Sequence, residues 1–200
     1  MNAPERGWLA RVPWATGLVA IGALALHRSP DASRALEFDR ARILAGEWWR
    51  VWTGHFAHFG LSHLGWNVAV FLPAGIWAER LTPARTRALL ALAPAMIGGV
   101  LLAFDPALEI YAGLSGVVSG VVTLLALTQL AATAREKWFW WSVLALLALK
   151  IGVEVFAGQP IFARGPDAGF RAVPLAHVAG VLCALAVHAV GRRGAPPANP

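Results

Sequence analysis

Ser115 stands in Tyr111-Ala112-Gly113-Leu114-Ser115-Gly116, and His177 in Pro174-Leu175-Ala176-His177-Val178-Ala179-Gly180, both in apolar surroundings. A hydroxyl becomes a nucleophile when a neighbouring base takes its proton. Histidine, with an unperturbed pKa of about 6.5, suits that task. The chemistry this pair permits is acyl transfer, whose tetrahedral intermediate needs hydrogen-bond donors for its oxyanion. His63 and Asn67 are four residues apart, so they share one helix face, and both can donate. The backbone N–H of Ser115 is a third candidate. Gly113 and Gly116 permit a tight turn where a helix begins, and a helix start leaves N–H groups unpaired with a partial positive charge. Lys150 and Glu154, also four apart, read as a structural ion pair or as a substrate-reading site. No acidic third member is evident near His177, so a Ser–His dyad is expected rather than a three-residue arrangement. Each residue also has a plainer reading, since serine is common in membrane-helix packing and a lone histidine can be a hydrogen-bonded packing residue.

Composition says what must position these groups. The 200 residues are 58% hydrophobic and 14% charged, with a mean hydropathy of +0.58. Soluble domains run at about 45–50% apolar and about 25% charged, so the chain is expected to be an all-α membrane protein. Six runs approach the roughly 17–25 apolar residues that span a bilayer, at about 12–27, 62–79, 86–104, 114–134, 138–156 and 172–190. They form one membrane domain over 1–191. The Pro-, Gly- and Arg-rich segment 192–200 is expected to be a disordered cytoplasmic tail. The first run is short, with Trp8 and Trp14 as anchors, and reads as a retained helix rather than a cleaved signal, since no clear cleavage site follows it. Cys183, the single cysteine, excludes an internal disulfide framework.

Basic residues set orientation. With the N-terminus inside, Arg6, Arg11, Arg80, Arg85, Arg87, Arg135, Lys137, Arg192 and Arg193 fall on the cytoplasmic side, and two of the outer segments carry only Arg164 and Arg171. The first outer loop, 28–61, is the exception: it has five Arg, four acidic residues, and Trp48, Trp49 and Trp52, and reads as a segment lying at the outer interface. Both termini are then cytoplasmic. The net charge of +6 serves topology, not nucleic acid. Helices two, four and six all run inward from the outer face. His63 and Ser115 lie near the starts of the second and fourth, and His177 about five residues into the sixth, about 7–8 Å deep at 1.5 Å per residue. Polar side chains in membrane helices are costly and functional by default, and these share one depth. Gly116 and Gly120 form one stripe of small residues, and Ala176, Gly180 and Ala184 another. Such stripes let helices approach closely, bringing Ser115 to His177.

These residues resemble the rhomboid family over most of the chain. Trp49-Arg50-Val51-Trp52-Thr53-Gly54-His55-Phe56-Ala57-His58 is similar to its Trp-Arg motif. His58-Phe59-Gly60-Leu61-Ser62-His63-Leu64-Gly65-Trp66-Asn67 is similar to its second-helix signature. Gly113-Leu114-Ser115-Gly116 resembles the nucleophile motif and Ala176-His177-Val178-Ala179-Gly180 the sixth-helix motif. The resemblance implies a six-transmembrane-helix bundle with an interfacial first loop. It implies an intramembrane serine endopeptidase that cuts membrane-anchored proteins in or beside their transmembrane segment, with the lipid bilayer as its medium and without metal, nucleotide or other cofactor. Ser115 would be the nucleophile, His177 the base and then acid, His63 and Asn67 oxyanion donors, and His58 and Arg50 structural. The short length and the Lys150–Glu154 pair look more like the rhombosortase branch, bacterial enzymes of the inner membrane that process a C-terminal Gly-Gly motif, hydrophobic helix and basic end. One position departs from the pattern. Four residues after the nucleophile many rhomboids have a Tyr packed on the catalytic His, and rhombosortases usually a His; here it is Ser119. Either another aromatic takes that place or the base is less firmly oriented.

Two other classes compete. An inactive rhomboid-like protein that binds membrane helices would not need both Ser115 and His177. A small transporter would line a whole pathway with ionisable groups, whereas here only Lys150 and Glu154 lie deep.

Overall fold

A computed structural model describes residues 12–132, 136–158, 161 and 172–193. Its elements, in chain order, are α1 (Trp14–His27), α2 (Pro30–Leu36), β1 (Phe38–Asp39), α3 (Arg40–Leu44), α4 (Arg50–Thr53), α5 (Leu61–Leu81), α6 (Pro83–Phe104), β2 (Ile110–Tyr111), α7 (Ser115–Ala132), α8 (Lys137–Ala157) and α9 (Pro174–Arg193). Four of these, α6, α7, α8 and α9 up to Gly191, are long and apolar enough to cross a membrane, and α1 is a shorter apolar helix. The six expected runs coincide with α1 and α5 to α9 to within a few residues. Proline fixes two of the shifted starts: Pro83 opens α6 and Pro174 opens α9, because the first helical position needs no N–H. Helix α9 continues through Arg193, past the expected boundary at 191; expected residues 133–134 of the fourth run and 194–200 of the tail lie outside the described residues.

Helix α7 is the centre of the bundle. Its residues Gly116–Val121 and Thr123–Ala126 are buried, with α5, α6, α8 and α9 packed around it. By contrast α8 buries only Trp140 and Glu154, and Trp140 sits edge-on to Trp77 of α5 with ring centroids 5.3 Å apart. Helix α1 has Pro13 at its N-cap, which offers no side-chain cap. Glu79 of α5, wholly buried, takes over: it accepts from the N–H groups of Ala15 (3.2 Å) and Thr16 (2.9 Å), from Thr16 Oγ1 (2.8 Å) and from Arg87 Nε (2.8 Å). A carboxylate at a helix start satisfies orphan donors and suits the helix dipole.

The segment between α1 and α5 folds back on the bundle as short helices. Arg50, 2% exposed, ties it together by donating to Glu47 Oε2 (2.6 Å) and to the carbonyls of Arg34 (3.0 Å) and Glu37 (2.9 Å). Arg40 donates to the carbonyls of Leu101, Leu102, Asp105 and Leu108 at 2.7–2.9 Å, closing the C-terminal end of α6. Proline at 94 interrupts the α6 ladder, as proline does by lacking an N–H, and this stretch takes bonds from outside the helix: Trp52 Nε1 donates to Ala91 O (3.1 Å) and His55 Nε2 to Pro94 O (2.9 Å).

Candidate active site

The turn into α7 is held from several sides. Strand β2 pairs antiparallel with β1, Phe38 opposite Tyr111. Tyr111 Oη donates to Gly113 O (2.9 Å), and burial pushes the phenol's pKa up. Gly113 N–H donates to Gly54 O (3.2 Å), and Leu114 N–H to His58 Nε2 (3.4 Å). His58 Nδ1 faces Phe56 O at 3.1 Å, so Nδ1 carries the proton and Nε2 accepts. Burial lowers the pKa of His58 to about 3, which keeps that nitrogen an acceptor. Gly113 has φ of 140°, a conformation open to glycine. The His63 ring lies directly over it, since a β-carbon there would be 2.6 Å from His63 Cε1. Gly116, expected in the turn as well, is helical. Its missing side chain serves contact with α9: a β-carbon on it would lie 2.8 Å from Ala176 O, and one on Gly180 would strike Gly116 O.

That close approach brings together residues far apart in sequence. His177 Nε2 is 2.9 Å from Ser115 Oγ. On the other side of the ring, His177 Nδ1 is 3.0 Å from Glu154 Oε2. The expectation that no acidic group stands near His177 is therefore corrected. Helix α8 turns Glu154 inward to within hydrogen-bond distance, a matter of tertiary packing that the 23-residue separation conceals. Lys150 Nζ donates to both Glu154 oxygens, at 2.9 and 2.8 Å, as the i,i+4 spacing implies. Ile161 N–H also reaches Glu154 Oε1 at 3.4 Å. Asn67 Nδ2 donates to His63 O (3.0 Å), which uses one of its two amide hydrogens. Ser119 Oγ donates to Ser115 O (2.9 Å) and so is bound within its own helix; the His177 ring is held from the side of α8 instead.

His63, Asn67, Ser115, Lys150, Glu154 and His177 line one cavity of about 1170 Å³ between α5, α7, α8 and α9. Arg50 and His58 stand behind it as supports of the loop and the turn. Among the described residues no cluster of three or more His, Cys, Asp or Glu side chains could hold a metal. A hydroxyl in line with an imidazole nitrogen, a helix start beneath it and amide and imidazole donors across the cavity can together perform acyl transfer. No curated protein matches the chain. The family model described as Rhomboid domain matches residues 45–194, a span that includes every one of these side chains.

Proposed function

The chain belongs to the rhomboid family, and from that premise we propose that it is an active intramembrane serine endopeptidase acting on membrane-anchored proteins. Ser115 is the nucleophile. His177 takes its proton through Nε2 and later returns a proton to the leaving amine. The carbonyl oxygen of the scissile bond, as it becomes an oxyanion, is met by the N–H of Ser115 and by His63 and Asn67. Water then cleaves the acyl-enzyme, with His177 as base again. The single observation that carries this reading is the 2.9 Å approach of His177 Nε2 to Ser115 Oγ, at a helix start, in a cavity large enough for a peptide segment. An inactive helix-binding relative has no use for that alignment.

The chain crosses the membrane six times, with α1 and α5 joining the four helices that are long and apolar enough to span it, in the inner membrane of a bacterium. Both ends are cytoplasmic and the cavity opens to the outer side. Within the family it is a rhombosortase, and its substrates carry a Gly-Gly segment followed by a hydrophobic helix and a basic end. The support for this branch is the Lys150–Glu154 pair.

The test is co-expression of a tagged, membrane-anchored reporter bearing a Gly-Gly juxtamembrane segment with the natural chain or with Ser115→Ala, product size being read on a gel. Cleavage by the natural chain is expected, and a loss of about 10⁴-fold or more in the variant, as for other serine nucleophiles. Equal cleavage by both would remove Ser115 from the chemistry. An uncut reporter together with no labelling of Ser115 by a serine-directed phosphonate would favour the inactive, helix-binding relative.

A further inference from the structure

We infer that Glu154 is the third member of this site, a positioning residue that holds the His177 ring in the tautomer and orientation Ser115 requires, and that Lys150 in turn holds Glu154. The inference rests on the reading of Ser115 and His177 as nucleophile and base. Four groups are linked by successive contacts: Ser115 Oγ, 2.9 Å from His177 Nε2; His177 Nδ1, 3.0 Å from Glu154 Oε2; and Lys150 Nζ, bonded to both Glu154 oxygens. A neutral imidazole has one N–H and one acceptor nitrogen. A carboxylate oxygen beside Nδ1 requires the proton there, because two acceptors repel. Nε2 is then the acceptor that faces Ser115. Lys150 Nζ also lies 3.5 Å from Nδ1, but an ammonium only donates, so it cannot bond to the N–H that Glu154 selects. Without Glu154 it would favour the opposite tautomer and oppose the imidazolium.

The placement of the carboxylate supports the assignment. Most residues of helix α8 are exposed, and apart from Trp140 its buried residue is Glu154, 2% exposed. Charged residues in membrane helices face inward where they have a partner or a task. An ion pair with Lys150 alone would need no histidine within 3.0 Å. The carboxylate also answers what Ser119 leaves open, since Ser119 is too small to hold the ring. In the reaction the Oγ–C bond forms, the carbonyl electrons move to its oxygen, and the Ser115 proton passes to Nε2. The ring is then an imidazolium with N–H groups on both nitrogens, and Glu154, still ionised, stabilises it. When the C–N bond breaks, the proton on Nε2 leaves with the amine. Glu154 therefore neither gains nor loses a proton.

The experiment uses the full chain in detergent micelles and a fluorescent alkyl fluorophosphonate, whose labelling of serine gives a maximal rate and a half-saturating concentration. Glu154→Gln is expected to lower the maximal rate about 10²–10⁴-fold, the scale of amide substitution at the third member of a serine triad. The half-saturating concentration should stay within about threefold, since the residue orients the base and does not bind the probe. The double variant Lys150→Met/Glu154→Gln leaves no unpaired charge in the bundle, so it carries the test if the single variant fails to fold, and it too is expected to be slow. A double variant that recovers to within about tenfold of the natural rate would mean that Glu154 only neutralises Lys150. A natural rate in Glu154→Gln would overturn the inference as directly. Ser115→Ala must not label. Labelling that persists there would be a failure of the nucleophile assignment itself, distinct from a failure at Glu154.

Discussion

Gly113 carries two constraints at one residue. Its φ of 140° is strained for any side chain, and the His63 ring occupies the space a β-carbon would need. Gly113→Ala should therefore destabilise the chain by about 1–3 kcal/mol, the usual cost of a residue held in a disfavoured backbone region. It should also push His63 off the turn, slowing fluorophosphonate labelling of Ser115 beyond what the loss of stability explains. Melting temperature in micelles and labelling rate measured on the same preparation check both; an unchanged rate would separate His63 from the oxyanion site. At this scale the sequence was informative where a residue type clashes with its surroundings. Ser115, His177, His63 and Asn67 are polar groups in apolar runs, and the structure gathers all four around one cavity. Glu154 stood out for the same reason, yet its link to His177 did not. Lys150, four residues away, already offered it a partner, and nothing in a one-dimensional pattern says which other helix a helical face will meet. Glu79 is a second such case, since its partners at Ala15 and Thr16 belong to another helix.

At the scale of elements, the distance between Ser115 and His177 is set by how closely α7 and α9 approach. The small-residue stripes foretold this contact, and the backbone oxygens of Gly116, Ala176 and Gly180 press against the glycines opposite them. Backbone cannot yield as a flexible side chain can. Gly180→Val should therefore wedge the two helices apart near Ser115, costing about 1–3 kcal/mol as overpacking does. It should also abolish labelling of Ser115 while the protein still reaches the membrane. Gly152 of α8, beside which there is open space, is the control, and Gly152→Val should leave both stability and labelling near natural values. A labelling rate in Gly180→Val equal to that of the control would mean that α7 and α9 tolerate separation. Helix positions were legible because apolar length is a strong signal, and their ends less so, because caps and prolines rather than hydropathy decide them. The shape of the segment between α1 and α5 was not legible in the sequence. Its shape comes from Arg40 and Arg50 bonding to carbonyls 13 to 68 residues away, and hydropathy carries no record of such bonds.

Over the whole molecule, that same segment makes stability depend on pH in a direction its buried histidines fix. Burial lowers the pKa of His55 to about 4 and that of His58 to about 3, and both sit outside the spanning helices. In the folded chain they stay neutral down to those values. In the unfolded chain they take up protons from about pH 6.5 downward. Between about pH 6.5 and pH 4 the unfolded state thus binds more protons, so stability is fully present above that window and is lost as the pH falls through it. Well below its unfolded pKa each histidine contributes a slope of about 1.4 kcal/mol per pH unit, and half that at pH 6.5 itself, so the pair should cost about 3 kcal/mol between pH 6.5 and pH 5. Glu37, whose carboxyl burial raises, opposes this only toward the acid end, where carboxylates begin to titrate. The consequence reaches the site, because protonating His58 removes the acceptor for Leu114 N–H and with it a support of the turn that presents Ser115. Melting temperature in micelles should fall steadily from pH 7 to pH 5, and His55→Asn, if it folds, should show about half the slope. A flat profile in the natural chain would mean that these rings are hydrated and that the segment is not packed against α6 as tightly as the bond from His55 to Pro94 O requires.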